Sequence, residues 1–295
     1  MVKAKREHVL SSLPYDVLEI IVGLLKSDYA SLRCCSLVCR AWTYVAQTRL
    51  FAASTLCERV ELDAFVALLD GSPHIAALVR HVAVIPTISE QSGIAALFDS
   101  VILKLAFRLP KLDTLHFSRL PYHKLSCDAR EAFANGFQSI YALSFRSVSM
   151  RGSTLQLADM FAECFNRPNL KRFKYINEWR RELLDQDVDE PSVMAPARHI
   201  PNRPAIIDDV LLEYIGGKTL QSLATLVRST GLGLANLSLL ATASGMRAAA
   251  QFMSSLGSSL QYLNLHVWTK MMFPRHNVNE GLEGRIRIYQ SFHID

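Results

Sequence analysis

The chain has 295 residues, half of them hydrophobic, and its Lys and Arg exceed its Asp and Glu by 32 to 27. That apolar content excludes disorder of the whole and suffices for a large core, as one extended domain or a small one followed by a larger. A net charge of +5 is too small an excess to argue for nucleic acid, and no such partner is expected.

Residues 1–8, MVKAKREH, are charged and lead into a helix pattern with no apolar stretch and small-residue cleavage site, so a flexible tail is expected here and not a secretory signal. KAKR within it reads as solvated tail sooner than as an import signal. No run reaches the roughly 18 uncharged apolar residues that a membrane span needs. Of the six cysteines, Cys34, Cys35 and Cys39 crowd one or two helical turns, and the others are scattered without the spacing of a disulfide framework. This usage suits a reducing compartment, the cytoplasm or the nucleus.

Pro14 and Asp16 suit the first turn of a helix, Pro by its fixed φ and Asp by its charge at the positive end of the dipole. From Val17 to Leu25 the apolar residues Val17, Leu18, Ile20, Ile21, Val22, Leu24 and Leu25 cover almost the whole circumference, so this helix must be buried on more than one side. Ser27 and Asp28 offer caps for a second helix through about Leu37, and Val38, Trp42 and Val45 are spaced for a third. About forty residues do not make a stable core alone. A partner is therefore expected to complete it. The clustered cysteines read as core packing, because no Cys or His stands near them at zinc-like spacing.

In order and spacing, Leu13-Pro14-x-Asp16-Val17-Leu18-x-x-Ile21, Leu25, Ser31-Leu32 and Cys35-Ser36-Leu37-Val38-Cys39-Arg40-x-Trp42 resemble the F-box, particularly that of large fungal families. The resemblance implies a helical trio over residues 9–56. It would dock on a Skp-type adaptor, which in turn holds the cullin and RING subunits of a ubiquitin ligase. By position it places Leu13 and Pro14 at the adaptor surface, Leu18, Ile21 and Leu25 near the contact, and Val38 and Trp42 as locks between helices.

Beyond residue 70 the pattern apolar-x-x-apolar-x-apolar recurs at Leu112-Leu115-Phe117, Ile140-Leu143-Phe145, Leu170-Phe173-Tyr175, Leu234-Leu237-Leu239 and Leu260-Leu263-Leu265. Successive starts lie 28, 30, 64 and 26 residues apart. The long gap has room for a further unit plus an insertion, with TLQSLATLV from Thr219 as the expected extra strand. ALVRHVAVI at 77–85 is expected to be an earlier strand that lacks the motif. Helix patterns fill 91–109, 126–135, 153–166 and 244–256, with Ser126, Ser153 and Ser244 as N-caps and Pro110, Gly136, Pro168 and Gly257 as stops.

A strand and a helix every 26 to 30 residues predict a solenoid with parallel strands on its concave face. It resembles the irregular leucine-rich repeats that follow many F-boxes, but without Asn or Cys three places after the last apolar residue of each motif. The predicted fold class is thus α/β: a small all-α F-box trio at 9–56, then a leucine-rich-repeat-like α/β solenoid at 70–295. Residues 185–204, acidic and then proline-rich, are expected to be a flexible insertion on its edge. EGRIRIYQSF near the end could improvise the missing end cap.

Alternation along each strand turns the residues between the apolar positions toward the concave face. That puts His116, Arg146, Arg172, Lys174, Tyr262 and His266 on a target-binding surface with a basic middle, suited to an acidic or phosphorylated segment. Catalytic motifs are missing: no G-x-S-x-G, H-E-x-x-H or P-loop, and Gly231-x-Gly233 lacks a third glycine. His123 with Cys127 is a chance pairing at a helix start, His266, His276 and His293 are scattered, and no metal or cofactor is expected. The expected function is non-catalytic: a substrate-recognition subunit of a Skp–cullin–F-box ligase that captures an unidentified target protein. An adaptor-bound scaffold without ubiquitin transfer shares every feature, and an enzyme with an unrecognised site is the third reading.

Overall fold

The computed structural model describes residues 13–25, 28–87, 93–148, 154–177, 206–242, 245–268 and 288–293. Three helices open it: α1 (Tyr15–Leu24), α2 (Tyr29–Ser36) and α3 (Arg40–Phe51). The Asp28 carboxylate caps α2 by accepting the Ser31 backbone N–H at 3.0 Å. Leu18, Val22, Leu32 and Val45 form a small core of their own, with Leu13, Leu25, Trp42 and Leu50 packed against it. Trp42 thus joins the helices as expected. Val38 does not, because it stands ahead of α3 at the corner after α2 and is half exposed.

The rest is a layered α/β unit. In chain order it comprises β1 (Ala53–Leu56), α4 (Arg59–Gly71), α5 (Pro73–Ala76), β2 (His81–Val84), α6 (Ile94–Leu105), β3 (Thr114–Ser118), α7 (Cys127–Asn135), β4 (Ala142–Arg146), α8 (Thr154–Phe165) and β5 (Arg172–Ile176). It continues through β6 (Ile206–Ile215), α9 (Gly217–Thr230), β7 (Gly233–Thr242), α10 (Met246–Leu256), β8 (Tyr262–Trp268) and β9 (Ile288–His293). The nine strands form one sheet in sequence order. β1 to β8 run parallel, and β9 pairs antiparallel with β8. Ile288 to Phe292, the described part of the segment expected to improvise an end cap, thus pair with that sheet edge as a strand.

The apolar motif marks more strands than the five expected. In β2, Val79-x-x-Val82-x-Val84 fits it, and in β6 so does Ile207-x-x-Val210-x-Leu212; all six residues are buried. Register places Val82 beside Leu115 and Ile207 beside Leu234, so these are the same rows continued. The segment from Thr219 is not a strand but α9. Leu220, Leu223, Ala224 and Val227 recur at helical spacing and are buried, and Gly231 ends the helix in the left-handed conformation at φ 66°. The α/β layer also begins earlier than residue 70, since β1 at Ala53–Leu56 already pairs with β2. Phe51, at the end of α3, packs on the large core, so trio and sheet are joined without a spacer.

One face of the sheet packs against α4 and α6 to α10 in a single core. Phenylalanines stack across it: Phe117 on Phe145 at 5.8 Å and Phe145 near Phe173 at 6.0 Å. Where the commoner repeat carries Asn or Cys, Leu120 and Val148 are buried instead. The residues before them, Arg119 (φ 63°) and Ser147 (φ 58°), take the left-handed conformation. Their N–H groups donate to the carbonyls of Arg146 and Ile176, each at 2.7 Å. Backbone therefore closes the strand ends where a side-chain ladder is missing. The 185–204 insertion and the expected caps Ser153 and Ser244 lie outside the described residues.

Candidate functional site

Two surfaces stand out, one on the trio and one on the sheet. On α1 the expected contact residue Leu18 is 1% exposed and Val22 is fully buried, so both belong to the trio's own core. Leu18 therefore cannot serve as a surface contact. At about 100° per residue, the opposite side of the helix carries Val17, Ile20 and Leu24, and these face solvent, Ile20 at 65% and Leu24 at 82% exposure. Leu37 at the α2–α3 corner is 85% exposed. Pro14 is exposed and its carbonyl accepts the N–H groups of Val17 at 3.0 Å and Leu18 at 3.2 Å, so it starts α1. Leu13, Ile21 and Leu25 are half-buried, with Leu13 and Leu25 against the trio core.

The sheet's other face carries the residues between the buried rows. Register brings His116, Ser144 and Lys174 into one line across β3, β4 and β5, and Thr114, Ala142 and Arg172 into the line beside it. Arg146 follows Ser144 on the same face of β4, in register with Ser118 and Ile176. Tyr262 and His266 lie on β8, five strands from His116. At about 4.8 Å per strand that is roughly 24 Å, so the six expected target contacts form two separate groups.

The basic middle is partly neutralised by β6, a strand that was not expected. β6 sets Asp209 beside Arg172, and the Arg172 Nε donates to the Asp209 carboxylate at 3.1 Å. The second carboxylate oxygen accepts from Asn236 Nδ2 at 2.9 Å. Glu213 lies further along β6, in register with Ile176. The signal was in the sequence: Asp209 sits between Ile207 and Val210 of an apolar motif. His116 has a pKa below the ordinary imidazole range, first because it is partly desolvated and then because Arg146 and Lys174 repel a further proton. A hollow of about 450 Å³ opens on this face over Ser144, Lys174, Arg172, Asp209, Asn236 and Ser238.

Cys127 opens α7 and its Sγ accepts from the Arg130 guanidinium at 3.6 Å. Among the described residues no group of three or more His, Cys, Asp or Glu is placed to hold a metal ion, and no helix is long and apolar enough to cross a membrane. No protein-family model, curated protein or solved structure matches the chain.

Proposed function

We propose that the chain is a non-catalytic target-recognition subunit of a Skp–cullin–F-box ubiquitin ligase, with the helical trio on the adaptor and a leucine-rich-repeat-like solenoid presenting the target. One observation carries the reading: the trio buries Leu18, Val22, Leu32 and Val45 but leaves Ile20, Leu24, Leu37 and Val38 in water. Apolar surface left exposed forgoes about 25 cal/mol per Å², which a docked partner would recover. Ile20 and Leu24, four residues apart on α1, share one exposed side of the helix, and contiguous exposed apolar surface marks interaction sites. The order Leu13-Pro14, Cys39-Arg40 and Trp42 points to the adaptor as that partner. Such a subunit acts by proximity, raising the effective concentration of a target lysine near the charged enzyme. All six cysteines are free thiols, in keeping with a cytoplasmic or nuclear setting.

The test is co-expression of the full chain with a Skp-type adaptor. Leu24→Asp with Leu37→Asp should abolish co-purification while leaving the melting temperature of the chain almost unchanged, because neither side chain is in a core. Leu18→Asp should instead unfold the trio. Retention of the adaptor by the folded double variant would overturn the reading.

A further inference from the structure

We propose that the open face of β3–β5 is an anion-binding site: it holds one oxyanion of an acidic or phosphorylated polypeptide over Ser144, between His116 and Lys174. The inference rests on the reading that this sheet face captures the target, and it names the chemistry that is captured.

The geometry follows from the register. His116 and Lys174 flank Ser144 on either side, one strand away, hence about 4.8 Å each. Arg146 is two residues further along β4 on the same face, about 7 Å away. The short Ser144 side chain thus stands between the longer His116 and Lys174, on the face over which the hollow opens. The Ser144 hydroxyl already lies 3.1 Å from His116 Nδ1. An oxyanion seated there meets N–H or O–H groups from three strands, each contact being charge-assisted or close to it.

The neighbouring charges bear on this spot unequally. Arg172, the cation nearest Lys174 in sequence, is engaged by Asp209, whose other oxygen is taken by Asn236. Among the described residues Lys174 is 4 Å or more from every carboxylate. Arg146 on β4 and Lys174 on β5 both act on the His116 imidazole, while its register neighbour on β2 is the uncharged Ala83. β6 then sets Asp208, Asp209 and Glu213 beside the cations. A continuous polyanion such as nucleic acid would be repelled there. A single oxyanion on an otherwise polar chain would not, and the hollow that continues over Asn236 and Ser238 offers amide and hydroxyl groups to its backbone.

The experiment follows the imidazole of His116 by NMR in the full chain, assigned with His116→Gln. The probes are a phosphoserine hexapeptide with Gly, Ser and Asn flanks, its glutamate and serine counterparts, and orthophosphate alone. The phosphoserine or glutamate peptide should raise the His116 pKa and bind more tightly as pH falls from about 8 to about 6, where imidazole gains its proton. Lys174→Glu should weaken binding roughly tenfold or more, since a charge-assisted contact becomes repulsive. Arg172→Gln should change it far less. His116→Gln should retain binding and lose the pH dependence. Response to the phosphoserine peptide alone identifies a phosphate ligand; response to both peptides identifies an acidic one. Response to orthophosphate alone would mean an adventitious ion only, and that result, or silence toward every probe, overturns the site. Adaptor co-purification is measured on the same samples. Adaptor capture without peptide binding sinks the anion site and leaves the docking reading standing, while peptide binding without adaptor capture does the reverse.

Discussion

The guanidinium of Arg167 donates to the carbonyl of Phe133 and, at 2.9 Å, to that of Glu163, tying together the last turns of α7 and α8. It also stacks over the Phe133 ring, 4.3 Å from its centre. Both carbonyls lie at the negative ends of helix dipoles, which suits a cation. Arg167 is 1% exposed, so water cannot replace it. Arg167→Met should cost about 3 kcal/mol, because it leaves buried carbonyls unsatisfied. Arg167→Lys should restore only part of this, since an ammonium cannot span two carbonyls as the planar fork does. Urea unfolding monitored by circular dichroism measures both. A Met variant as stable as the parent would mean that the two carbonyls find other partners.

Gly136 ends α7 where the chain passes close to α6. A Cβ there would lie 2.4 Å from the Ala106 Cβ and 2.6 Å from the Ala132 carbonyl oxygen. Backbone has to move to admit it, and the next residue, Phe137, is held by an N–H bond to the Ala106 carbonyl at 2.9 Å. Gly136→Ala should destabilise the chain by about 2–3 kcal/mol, as overpacking does elsewhere. The opposite expectation holds at Gly71, where a Cβ would meet nothing within 4 Å; Gly71→Ala near the end of α4 should stabilise slightly, by less than about 1 kcal/mol. Thermal melts of the two variants should shift in opposite directions, and shifts of the same sign would contradict the packing described.

Cys164 on α8 is fully buried, and its thiol is pushed up to about 12, first by burial and then against the opposing pull of Arg167. Since the thiolate is the reactive form, Cys164 should resist a maleimide or disulfide reagent until the α/β core opens. Cys34 and Cys127 are exposed and should label within the first minutes. Peptide mapping after timed labelling distinguishes them. Labelling of Cys164 at the rate of Cys127 in the native protein would show that α8 opens independently of the sheet.

Local periodicity carried much of this protein. The apolar circumference of α1, the cap at Asp28, the helix over Cys127–Asn135 with its Ser126 cap and the alternating strands β3, β4, β5, β7 and β8 were legible because each depends on residues within one or two turns of one another. So was the side of each strand that faces inward. Where the same local motif sits at uneven intervals it was harder to see. Val79-Val82-Val84 and Ile207-Val210-Leu212 are as regular as the others, but unequal connections hide their spacing. TLQSLATLV offers Leu220 and Leu223 at the apolar-x-x-apolar spacing of the strand motif, and the buried Ala224 and Val227 together with the Gly231 stop make it a helix.

Tertiary structure alone decided which side of α1 faces in. A helix that is apolar all round presents Leu18 and Ile20 as equivalents, and only the docking of α3 buries the first and exposes the second. It also decided the charge of the sheet face. Arg172 and Asp209 are 37 residues apart, and their pairing depends on β6 lying next to β5 in a particular register. No period within a strand encodes that adjacency, because it arises from the closure of a long connection and the packing of whole elements. Lys174 on the same strand keeps its charge available for the same reason: the register that brings Asp209 to Arg172 puts Leu211 beside Lys174.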